Sequence, residues 1–290
     1  MSRLLSRLTS ALRLYNGSKV AWRNAEKVPS HSLTLYEYEQ SPWCRKVREA
    51  LCILDLNVEI KPCPRETFRT EGAFSETSIN RRELSDRYGK ERLLFPCLVD
   101  GSTGTVMNES SEIIDYLWDK YGKDIDQTAN RPKTDLFFHK LPSIFELPLL
   151  MSLRPLPANG LMATETKFRS HKHQNLELYT SECSTHGRYV REALCTLQLP
   201  YEYRTMASGT LKKLPDRAVK VLGKESLGEV EFFLYDPNAD GMFGGNDSEK
   251  ALQYLFDKYQ AGPTLSVTNA VQRNHGRDGS LAAQLLKNIF

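Results

Sequence analysis

Apolar and polar residues alternate along Leu33-Thr34-Leu35-Tyr36-Glu37-Tyr38, the period of two expected of a strand with one face buried. Ser41-Pro42 follows, a helix start with serine as cap and proline at the first helical position. Val47, Leu51 and Leu54 then recur at helical spacing, and the helix is expected to end near Asn57. Val58–Lys61 reads as a second strand, and the charged stretch from Arg65 to Arg92 as the host of a further helix. Leu93–Val99 predicts a third strand interrupted by Pro96, Asp100–Gly104 a turn, and Val106-Met107 a short fourth strand. Ser111–Lys120 predicts a last helix with Ile113, Ile114 and Leu117 on one face. The order βαβαββα is that of an α/β sandwich.

The same order is written twice. A shift of 143 positions aligns Leu33–Ile60 with Leu176–Tyr203, and 15 of the 28 pairs are identical. The run from Val47 to Cys52 recurs from Val190 to Cys195, and the six residues from Tyr116 recur with one change from Tyr254. A repeat of this length suits a small domain and is too long for a solenoid unit. The second copy is expected to use Leu176–Thr180, Arg188–Leu199, Tyr201–Arg204, Phe232–Tyr235 and Ser248–Tyr259. The organisation read from this is an N-terminal arm at 1–30, a first domain at 31–122, a linker at 123–174, a second domain at 175–261 and a tail at 262–290. The linker carries an apolar run at 141–153, broken by Pro142, Glu146 and Pro148. It predicts a partly helical cover for both domains, with peripheral contact to a membrane surface as the alternative.

Composition narrows the class. Hydrophobic residues make up 40% of the 290 and charged residues 26%, which excludes a disordered chain. No stretch reaches the ~18 apolar residues of a membrane span. The net charge is +3, and residues 1–25 alone carry Arg3, Arg7, Arg13, Lys19 and Arg23 without an acid. The remainder is slightly acidic, so nothing in it resembles a nucleic-acid footprint. The acid-free, Arg-rich start has the composition of a plastid or mitochondrial transit segment; a basic helix kept on a cytoplasmic protein is the alternative. Six cysteines with no CxxC point to a reducing compartment rather than a disulfide scaffold. His171, His173, Cys183 and His186 have the residue types of a zinc site but lie in separate loops, and no metal is expected.

A strand, a helix opening on Ser41-Pro42-Trp43-Cys44, a strand containing Pro96 and Glu109-Ser110 before a last helix together resemble the glutaredoxin-like N-terminal domain of glutathione S-transferases. Two such domains in one chain are similar to the tandem members of that superfamily in cyanobacteria, algae and plants. The resemblance implies two thioredoxin-like domains and glutathione as ligand. It implies Ser41 at the position of the nucleophilic cysteine, hydrogen-bonding the glutathione sulfur, and Cys44 as a secondary redox residue or packed thiol. Pro96 takes the place of the fold's cis-proline, with Phe95 offering its backbone to the peptide. Glu109 and Ser110 would hold the γ-glutamyl end. Serine cannot form the mixed disulfide that opens thiol exchange.

Ser184 keeps the place of Ser41, but the second copy departs at the others. Thr185 stands for Pro42, Gly187 for Cys44, Phe232 for Pro96, and Gly244-Gly245 is expected in place of Glu109-Ser110. That pattern suits a structural or protein-docking copy. Two functions follow: a glutathione-binding protein with weak or specialised thiol-transfer or redox activity in the first domain, or a non-catalytic scaffold with a thioredoxin fold.

Overall fold

The computed structural model describes residues 10–11, 15–21, 32–64, 78–122, 166–168, 172–223 and 230–261. The apolar run at 141–153, His171, most of the arm and linker, and the tail after 261 lie outside them. The first half runs β1 (Leu33–Glu37), α1 (Pro42–Ile53), β2 (Val58–Pro62), α2 (Ile79–Tyr88), β3 (Cys97–Asp100), β4 (Thr105–Met107) and α3 (Ser110–Tyr121). The second runs β5 (Leu176–Thr180), α4 (Thr185–Thr196), β6 (Tyr201–Thr205), the short α5 (Val219–Leu222), β7 (Phe232–Asp236), β8 (Gly241–Gly245) and α6 (Glu249–Tyr259).

Local chemistry accounts for the boundaries. Ser41 caps α1 by accepting from the Cys44 N–H at 3.2 Å, and Ser184 caps α4 by accepting from the Gly187 N–H at 2.8 Å. Both helices end alike. Asp55 (φ 54°) and Gln198 (φ 58°) turn the chain, and the Leu56 and Leu199 N–H groups close on Leu51 and Leu194. α1 therefore stops at Ile53, short of Asn57, and α4 begins at Thr185, a turn before the expected Arg188. β3 begins only after Pro96, which has no N–H to give a ladder.

The strands form one sheet in the order β4-β3-β1-β2-β6-β5-β7-β8. Within each half two strands are parallel (β1 with β2, β5 with β6) and the rest antiparallel. The halves join edge to edge, with Val58 opposite Tyr203, Glu59 opposite Glu202 and Ile60 opposite Tyr201. Under the 143-residue shift this register maps onto itself, so a local twofold axis passes between Glu59 and Glu202. One apolar cluster runs through both halves, from Leu35, Leu98 and Trp118 to Leu178, Leu234 and Phe256. Among the described residues the two halves share one continuous sheet and core.

Buried charge follows the same symmetry. Arg48 meets Glu182 at 2.9 Å and Glu39 at 3.1 Å; Arg191, its repeat counterpart, meets Glu39 at 3.0 Å and Glu182 at 3.3 Å. Glu39 and Glu182 are themselves counterparts, so each guanidinium reaches across the axis as in an isologous dimer. All four side chains are closed to solvent, and fork-shaped guanidiniums suit such sharing. Glu37 also pairs with Arg48, but its counterpart is Thr180, so it has no mate across the axis.

The N-terminal arm binds this seam where it is described. Val20 N–H donates to Ser208 O at 2.9 Å, Ala21 N–H to Ile53 O at 2.9 Å, and the Cys183 thiol to Asn16 O at 3.2 Å. Gly17 (φ 80°) is pressed so closely that a Cβ would lie 3.1 Å from the Glu49 Cα and 3.2 Å from the Glu182 Cβ. Residues 15–21 thus tie the halves together.

Candidate functional site

The β1–β3 register builds the site. Tyr36 pairs with Cys97, so Pro96 arrives beside the end of β1, where the chain turns through Tyr38 and Gln40 into the α1 cap at Ser41. The Phe95–Pro96 peptide bond is cis. The Tyr38 ring stands edge-on to Phe95 at 6.3 Å, and the Arg81 guanidinium lies 4.6 Å over the Phe95 ring. Arg81 is fixed from below, donating to Cys63 O at 2.8 Å and to Pro64 O at 3.1 Å.

Glu109 and Ser110 come to the same side through Asn108. The Asn108 amide donates to Arg92 O at 3.2 Å and to Leu94 O at 2.5 Å, tying the segment before α3 to the loop before Phe95. Glu109 is exposed and has φ 67°, ψ 110°, a left-handed φ that a side chain rarely adopts. Ser110 is buried at the first position of α3, where helix N–H groups lack partners of their own and favour an anion. Sequence reasoning missed Arg81, Asn108 and Tyr38. Only Asn108 left a trace, as the residue before Glu109.

The thiols of the first half are shaped by burial. Cys44 is fully buried and its pKa is pushed up to about 12, first by burial and then by the Glu37 charge; the hydrogen bond from Ser41 pulls the other way and loses. A helix N-terminus lowers a thiol pKa when the sulfur stays hydrated, and this one does not. Burial therefore favours the neutral form of the Cys44 thiol in this arrangement. Ser41 is itself 1% exposed, whereas Trp43 beside it is 48% exposed. Cys52, Cys63, Cys97 and Cys195 are buried too, with pKa values raised chiefly by burial.

In the second half, the β5–β7 register sets Thr180 opposite Phe232, confirming Phe232 as the counterpart of Pro96. In the β7–β8 ladder Gly245, also left-handed at φ 116°, pairs with Phe232, which puts it at the place of Glu109; counted back from the repeated Tyr116 and Tyr254, Ser110 corresponds to Ser248. Of the described histidines, His173 lies against Phe168 at 5.1 Å, and His186 Nδ1 lies 3.2 Å from the Ser248 hydroxyl, so neither is held on Cys183. Among the described residues no group of three His, Cys, Asp or Glu side chains is placed to hold a metal ion, and no helix is long and apolar enough to cross a membrane.

Comparison with known proteins agrees with the first half. Residues 35–127 match the family model for the glutathione S-transferase N-terminal domain, and the matched stretch carries the β1-to-α3 order given above. The match covers about a third of the chain and ends well before β5. No curated protein and no solved structure matches the chain.

Proposed function

We propose that the first half is a glutathione-binding module of the glutathione S-transferase and glutaredoxin type, and that the second half is a degenerate module of the same fold, fused to it edge to edge. The observation that carries the reading is Glu109. The equivalent position of the second half is glycine, the residue that a left-handed φ favours. A glutamate there is strained by ~1–3 kcal/mol, yet it presents an exposed carboxylate next to Ser110 and the α3 N-terminus. That arrangement suits the γ-glutamyl end of glutathione: carboxylate to ammonium, and hydroxyl and helix N–H groups to carboxylate. Phe95, held between Tyr38 and Arg81, offers its backbone before Pro96.

The chemistry open to this site is that of binding and orienting a thiol. Cys44 is neutral and buried, so dithiol exchange through it is not part of the proposal. Ser41 donates to the ligand sulfur once the tip opens to admit it. The burial of Ser41 and Cys44 favours a second reading, a scaffold that keeps the fold without turnover.

Titration of the full-length protein with reduced glutathione by calorimetry separates the two. Binding lost in Glu109→Ala and kept in Cys44→Ala supports the glutathione site. Absence of binding by the unmodified chain leaves the scaffold. The acid-free N-terminus further suggests an organellar address, which mass measurement of the protein from its native cells tests.

A further inference from the structure

The second helix tip holds an anion of its own. Glu231 precedes Phe232 as Phe95 precedes Pro96, but its carboxylate folds back onto α4. Glu231 Oε2 accepts from the His186 N–H at 3.0 Å and from the Ser184 hydroxyl at 3.2 Å. The neighbouring N–H, that of Gly187, is taken by Ser184 Oγ. In the first half the N–H equivalent to that of His186 belongs to Trp43 and meets no acceptor among the described residues. Further contacts lock the arrangement. Thr180 Oγ1 donates to Glu231 O at 2.7 Å, and Asn246 Oδ1 accepts from the Glu231 N–H at 3.1 Å. Thr180 also occupies the space that a side chain at Gly187 would need, which is why no counterpart of Cys44 fits there.

Room is not what closes this tip. A cleft of about 780 Å³ opens over it, lined by Glu231, Ser184 and Thr185 and by Tyr15 and Met206. A thiolate or carboxylate entering the cleft meets a carboxylate already seated on the helix N–H groups and the positive end of the dipole.

We infer that Glu231 is a built-in plug that occupies the anion position of the second module, so the chain takes one anionic thiol ligand and not two. The count of one rests on the glutathione reading above; the plug itself does not. Calorimetric titration of the full chain with reduced glutathione is expected to give one equivalent, and none in Ser41→Ala/Glu109→Ala. Two equivalents in the unmodified chain would overturn the inference. Zero equivalents would sink the glutathione reading instead, and the plug is then decided by amide hydrogen exchange without ligand. In Glu231→Ala the His186 amide is expected to exchange about fivefold faster or more, with Trp43 unchanged, while Glu231→Gln, which keeps an acceptor, stays near the original rate. Equal His186 exchange in the unmodified chain and Glu231→Ala would show that the carboxylate does not hold the tip, and the inference would fall.

Discussion

Glu37 is the carboxylate that the internal symmetry leaves without a counterpart, and a proton on it relieves the imbalance. Around the axis Arg48 and Arg191 already serve Glu39 and Glu182. A third buried carboxylate on Arg48 must be desolvated among like charges. Burial, and then the nearby Glu39 and Glu182, push the Glu37 pKa up to about 7 from an ordinary 4.5, against the pull of Arg48. Below pH 4.5 the group is protonated folded or unfolded; above pH 7 it is ionised in both. Between the two the unfolded chain ionises first, so stability falls as pH rises across this window. At about 1.4 kcal/mol per unit the loss is about 3 kcal/mol. Glu37→Gln keeps an acceptor for Arg48 and removes the titration. Denaturant unfolding at pH 5 and pH 8 should therefore show the variant gaining about 3 kcal/mol on the unmodified protein between the two conditions. Groups that the substitution does not touch cancel in the comparison. Parallel stabilities at the two pH values would refute the reasoning, because they would mean that Glu37 stays charged, or stays protonated, throughout.

Other substitutions probe the seam and the site separately. Arg191→Met leaves Glu39 and Glu182 to share Arg48, with Arg45 reaching only Glu182 at 3.8 Å, and is expected to destabilise by about 3–5 kcal/mol in the same unfolding assay. Glu109→Gly relaxes the left-handed φ and should raise stability by about 1 kcal/mol while abolishing glutathione binding by calorimetry; a loss of both would make Glu109 structural. Asp100 accepts from the Tyr116 and Tyr121 hydroxyls at 2.7 and 2.6 Å, and Asp236 repeats the clamp with Tyr254 and Tyr259. Those hydrogen bonds hold both carboxyls below the usual range although burial opposes it. Their stabilisation is thus present above about pH 4 and lost as pH falls below it. Asp100→Asn should cost about 1–3 kcal/mol at pH 7 in thermal or denaturant unfolding.

Much of the fold was legible because local signals were strong. Period-two alternation marked β1, the cap at Ser41-Pro42 marked α1, and the repeat fixed the order of the second half. The boundaries that slipped have local causes. The left-handed turn at Asp55 ends α1 early, and Pro96 holds β3 back to Cys97. The joining of β2 to β6 left no such mark, since an edge strand reads alike whether its partner is solvent, another chain or its own repeat. The site was legible where the chemistry sits on punctuation, at Ser41-Pro42, Pro96 and Glu109-Ser110. It was illegible for Arg81, which looks like one more charge in a polar stretch and is buried under Phe95.

The charged residues of the seam carried a signal that hydropathy alone discards. Glu39, Arg45, Arg48 and Glu49 read as the solvated side of an amphipathic helix and the loop before it, yet each is identical to its counterpart 143 residues on. The burial of Arg48, Glu39 and their counterparts explains it: a reciprocal pairing across a twofold axis holds only if both copies keep both partners. The tips face no such demand, and there the halves diverge, Glu37 to Thr180, Cys44 to Gly187, Phe95 to Glu231 and Glu109 to Gly245. Glu37 belongs to both regions. It binds Arg48 in the seam, and by the β1–β3 register it sits opposite Pro96 at the site. Its charge also helps to keep the Cys44 thiol neutral. The protonation state of one carboxylate without a symmetry mate therefore links the strength of the fusion to the polarity of the first helix tip, a link absent from the second half, where threonine holds that place.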